Sequence, residues 1–65
     1  MTPRYARLVL GWEIGTPVEQ HLIAIMRAGT WDDLQRLASG WPDLVSAFLL
    51  ARDQPAQAEI LARRG

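Results

Sequence analysis

One side chain in this sequence, His21, has an ordinary pKa that puts a proton in play near neutral pH. It lies two residues after Glu19, at the border of an apolar helical stripe. That setting suits an acid/base catalyst, and it suits a boundary side chain with no chemical duty; the second reading is the one adopted. No cysteine is present to attack a substrate or hold a metal. Ser39 and Ser46 fall at a helix end and inside an apolar run, and neither shows the base and orienting acid that a serine nucleophile needs. Asp32 and Asp33 invite a metal reading, yet adjacent residues on a helix point roughly 100° apart and do not face one ion. Helix capping accounts for them more simply. Glu13 and Glu19 lack ligand spacing, and GWEIGTP has neither the lysine of a P-loop nor the three glycines of a dinucleotide fingerprint. The sequence predicts no catalytic residue, no cofactor, no metal site and no small-molecule substrate.

Charge narrows the partners. Seven basic residues balance seven acids for a net charge of zero, so no overall field draws the chain to nucleic acid or to an anionic membrane. All the basic residues are arginine, with lysine and asparagine absent, a bias that fits a GC-rich genome and a bacterial or phage source. No apolar run approaches the ~20 residues of a membrane span. The opening MTPRYARLVLG lacks the apolar core and cleavage site of a signal peptide. With no cysteine to oxidise, a cytoplasmic location is expected.

Nucleic-acid binding receives a direct test because many helix-turn-helix domains are built from about five short helices. The helix pair within 17–38 would place TWDDLQRLAS in the groove, with Asp32 and Asp33 at the end that meets bases and phosphates. Carboxylates there repel the backbone. Aligning Ala24 with the small residue of such motifs leaves Arg27 and Gly29 where apolar residues belong. DNA binding is therefore kept as the alternative only, through arginines at the two termini: Arg4 and Arg7 with Arg63 and Arg64.

The elements that must position these residues are announced by repeated punctuation. In GTPVEQ, Thr16 suits an N-cap, Pro17 the first helical position and Glu19 the third position of a capping box. The helix that follows carries Val18, Leu22, Ile25 and Met26 on one face, and a left-handed Gly29 is expected to stop it. GTWDDL repeats the signal with Thr30 and Asp33, and Trp31, Leu34, Leu37 and Ala38 share a face before Ser39–Gly40. Pro42 opens a third helix whose LVSAFLLA is apolar everywhere but Ser46. Such a helix is buried on more than one side. Residues 43–52 are thus expected at the centre, with Leu44, Ala47, Phe48 and Ala51 on the core stripe and Leu49 and Leu50 facing away. Asp53 or Gln54 opens the last helix, with Pro55 in its first turn. Residues 3–12 read as a helix through Tyr5, Leu8, Val9 and Trp12; a strand is the alternative, and it would need another chain to pair with. The expected fold is one all-α domain over 1–65, a compact orthogonal bundle of four or five short helices.

Trp12, Trp31 and Trp41 all stand at expected helix boundaries, where an indole buries its rings and keeps its N–H wet. Tryptophan and arginine are also enriched among interface hot spots. Ile23, placed on the polar side of its helix, would extend an apolar patch together with Leu49 and Leu50. The expected function is a small non-catalytic protein-binding module, an adaptor, regulator or inhibitor, that is homodimeric or bound to a larger protein. Its expected contacts are Trp12, Ile23, Trp31, Leu49, Leu50, Arg63 and Arg64.

Overall fold

A computed structural model describes residues 2–64. Five helices follow one another: α1 (Pro3–Leu10), α2 (Pro17–Ala28), α3 (Trp31–Gly40), α4 (Pro42–Asp53) and α5 (Pro55–Arg63). The chain is an all-α bundle, and no strand forms among the described residues. The strand alternative for the N-terminal segment therefore falls.

Punctuation explains the boundaries. Thr2 and Thr16 both precede a proline and both accept a backbone N–H through the side chain, from Tyr5 at 3.4 Å and from Glu19 at 3.2 Å. At Thr16 the box closes, since the Glu19 carboxylate accepts the Thr16 N–H at 2.8 Å. Before α3, the Asp33 carboxylate accepts the Thr30 N–H at 3.0 Å.

Helix α1 stops at Leu10, two residues short of the expected end. Gly11 takes φ 82°, a left-handed conformation that side chains disfavour. The N–H groups of Gly11 and Trp12 then turn back to the carbonyls of Leu8 and Arg7, at 3.1 and 2.8 Å, in a Schellman arrangement. Gly29 is different from expectation: at φ −83° and ψ 169° it is extended rather than left-handed. A side chain is excluded there by crowding, because a Cβ would sit 2.7 Å from the Ile25 carbonyl oxygen and 3.1 Å from Asp33.

The last two corners use one residue each. Trp41 and Gln54 adopt nearly the same backbone, φ −133° with ψ 63° and φ −138° with ψ 68°. Each precedes a proline, which bars the helical conformation at the residue before it. Each also belongs to two helices. The Trp41 N–H closes α3 on the Leu37 carbonyl at 2.8 Å, while its own carbonyl accepts the Val45 N–H of α4 at 3.1 Å. Gln54 does the same with Leu50 and Ala58, at 2.7 and 3.1 Å.

Helix α4 packs against α1, α3, α5 and α2, which makes it the central element. Its most buried large side chain is Leu44, at 1% exposure, with Val45 and the fully buried Ala47 beside it. Phe48, Leu49 and Ala51 are half-buried against the same core, so the centre lies one turn before Phe48. Helices α1 and α5 pack together, and alanines line this part of the bundle: Ala6, Ala58 and Ala62 are all buried. Small side chains let helix backbones approach closely. No polar or charged residue is buried among the described residues.

Helix α2 is rotated from its expected face. It buries Leu22, Ile23 and Met26, while Val18 is 60% exposed. A modest turn of α2 about its axis brings Ile23 inward, where it joins the core with Leu8 of α1 and with Leu22 and Met26 of its own helix.

Candidate functional site

The groups with chemical potential are spent on structure or stand apart. His21 and Asp32 are exposed on different helices. Among the described residues, no three His, Asp or Glu side chains gather to hold a metal ion. Glu19 is the most engaged carboxylate. Arg4 grips it with both guanidinium nitrogens, at 2.6 and 2.8 Å, tying α1 to the start of α2. This ion pair, helped by the Thr16 N–H, holds the Glu19 carboxyl at about 2, well below its ordinary 4.5. The same contact raises the Arg4 pKa.

The terminal arginines meet as a group only in part. Arg7 is bound by Glu13 and also donates to the Ala62 carbonyl of α5 at 3.1 Å, so the two ends of the chain do lie together. Arg63 extends over Trp12, with its guanidinium carbon 5.9 Å from the ring centroid, within cation–π range. Trp12 is 46% exposed beneath it. Of the four terminal arginines, Arg4 and Arg7 are thus neutralised within the chain and Arg63 stacks on an indole.

A band of three adjoining depressions crosses α3, α4 and α5, apolar between α3 and α4 and mixed in character toward α5. Its first part is a groove between α3 and α4, where Trp31, Leu34 and Ala38 face Val45 and Leu49. Leu49 also borders a shallow depression on the outer side of α4, shared with Ser46, Leu50 and Asp53. Leu50 in turn lines a groove between α4 and α5 with Ile60 and Leu61 and the polar Gln54, Gln57 and Arg64. Trp31 stands at one end with 55% exposure, and Ile60 stands near the other with 49%. Leu49 and Leu50 are half-buried between them.

The expected contact residues sort into three places. Trp31, Leu49, Leu50 and Arg64 lie along this one band. Trp12 and Arg63 pair with each other at the corner where the α1–α2 connection meets the end of α5. Ile23 joins neither group. At 8% exposure it is a core residue, and its assignment to an exposed patch is corrected; the stripe drawn through Val18 had turned α2 the wrong way. The sequence reading passed over Ile60, whose signal was a large aliphatic side chain in a helix that otherwise buries alanines.

Comparison with protein-family models, with curated proteins and with solved structures finds no match.

Proposed function

We propose that this chain is a small non-catalytic protein-binding module, an adaptor, regulator or inhibitor, that docks protein through the band across α3, α4 and α5. The observation that carries the reading is the run from Trp31 to Ile60: two large apolar side chains, each about half exposed, joined by the half-buried Leu49 and Leu50. Scattered single apolar residues on a surface need no explanation, but contiguous ones mark interaction surfaces. Trp31 supplies the kind of rigid aromatic anchor that dominates interface energetics. The helices beneath are fixed by single-residue corners, so the band is presented without rearrangement.

The nucleic-acid alternative draws no support from the geometry, because Arg4 and Arg7 are occupied by Glu19 and Glu13. Absence of any mobility shift with genomic DNA fragments at low salt is the expected outcome.

A photoreactive residue at Ile60, and separately at His21 on α2, tests the docking reading in host cells. Ile60 should give a discrete cross-linked species and His21 should not. Equal labelling from both positions, or none from Ile60, removes the reading.

A further inference from the structure

We infer that the cleft between α2 and the α1–α2 connection is a binding site for a small aliphatic carboxylic acid, with the carboxylate on Arg27 and the chain lying along Ala24 toward Ile14. The cleft shares no residue with the band across α3, α4 and α5, so the inference stands apart from the docking reading.

Gln20, Ile23, Ala24 and Arg27 of α2 line the cleft, at the i, i+3, i+4 and i+7 spacing that makes one side of a helix. They run for about 10 Å, or two turns. Opposite them stand Gly11, Glu13, Ile14 and Gly15 of the connection, with Leu8 of α1. A hydrogen bond ties the two sides together at each end of the stripe: the Gln20 amide donates to the Gly15 carbonyl at 2.9 Å, and Arg27 donates to the Val9 carbonyl at 3.4 Å. The walls are therefore fixed by the fold. The space between them is about 380 Å³, inside the ~300–1,000 Å³ range of small-ligand clefts.

The lining offers an apolar surface and one available cation. Leu8 and Ile23 are core side chains that reach its base, while Ile14 on the rim is 89% exposed, more than any other large apolar side chain among the described residues. Packing within the chain leaves Ile14 uncovered, and an aliphatic chain laid against it takes that surface out of water. Glu13 is bound by Arg7, so its charge is balanced within the chain. Arg27 makes no ion pair among the described residues, and its one hydrogen bond is long. With Arg7 counted, the charged groups at the cleft sum to a single positive charge. A carboxylate answers that charge and can accept two parallel N–H bonds from the guanidinium. An amine of the same length is repelled by it, and an alcohol gains nothing from it.

Sodium hexanoate is the probe, titrated into the full chain and followed by amide and methyl NMR. Saturable shifts should appear at Gly11, Ile14, Ile23 and Ala24, and not at Trp31 or Ile60. Hexanol and hexylamine keep the chain and lose the carboxylate, so each should bind about tenfold more weakly or worse, the scale of a charge-assisted pair. Arg27→Gln should weaken hexanoate by a similar factor, and Arg36→Gln on the exposed side of α3 should leave it unchanged. Ala24→Phe keeps Arg27 and fills the cleft with a ring, so it should abolish binding. Ala24 is exposed, so this variant keeps the fold and decides the question even where Arg27→Gln does not. No saturable shift at tens of millimolar hexanoate, equal binding of hexanol, or full binding by folded Arg27→Gln or by Ala24→Phe overturns the assignment.

Discussion

Glu19 joins three functions in one side chain: it completes the capping box of α2, binds Arg4 of α1, and thereby locks the first two helices together. Its pH behaviour follows from the depressed carboxyl. A group whose folded pKa of about 2 lies below its ordinary 4.5 contributes stability that is fully present above that ordinary value. The contribution fades as pH falls from about 5 toward 2. Glu19→Gln keeps an amide acceptor for the Thr16 N–H and removes the charge. The variant should melt below the parent at pH 7, and the two melting curves should converge by pH 2; a gap that persists at pH 2 contradicts the ion-pair account. The capping half of this site was legible in GTPVEQ, because a box is local and its spacing is written in the sequence. The Arg4 half was not, since nothing local says that residue 4 will meet residue 19. Ile23 was misread for a related reason. Which flank of a helix is buried depends on what lies over it, and here the core that receives Ile23 includes Leu8 and Val9 of α1.

At the scale of elements, the boundaries were legible wherever Thr or Pro wrote them, and the end of α1 was missed because Gly11 acts through φ rather than through pattern. The contact between α1 and α5 was raised only through the arginines at the two termini and not through its packing, because alanine carries almost no periodic signal. Alanine is nevertheless what that contact requires. Ala58 is fully buried, and Ala58→Leu should destabilise the fold by about 1–3 kcal/mol in denaturant titration through overpacking. Leu44→Ala, at the most buried large side chain, should cost about 2–5 kcal/mol through loss of packing and the cavity left behind. A larger loss for Ala58→Leu than for Leu44→Ala would place the weight of the core at the α1–α5 contact instead of on α4.

The molecule as a whole is as compact as its length allows. Its radius of gyration is 10.8 Å, and a compact chain of this length is expected near ~11 Å. Its 4204 Å² of surface likewise matches the roughly 4,200 Å² of an ordinary compact chain of this mass. Docking is therefore an addition to a compact core, and a partner that binds only the folded chain should raise its melting temperature as the partner's concentration rises. A melting temperature independent of concentration would argue against that linkage. The shared residues Trp41 and Gln54 leave α4 no slack at either end, so its twelve residues act as a ruler between the two grooves. Length on this ruler is also angle: one residue added or removed swings whatever follows by roughly 100°. Continuity of the band is thus a question of whole-number counting, and a one-residue deletion inside α4 should turn the α4–α5 groove out of line with the α3–α4 groove and, because α4 also packs against α1 and α2, destabilise the fold.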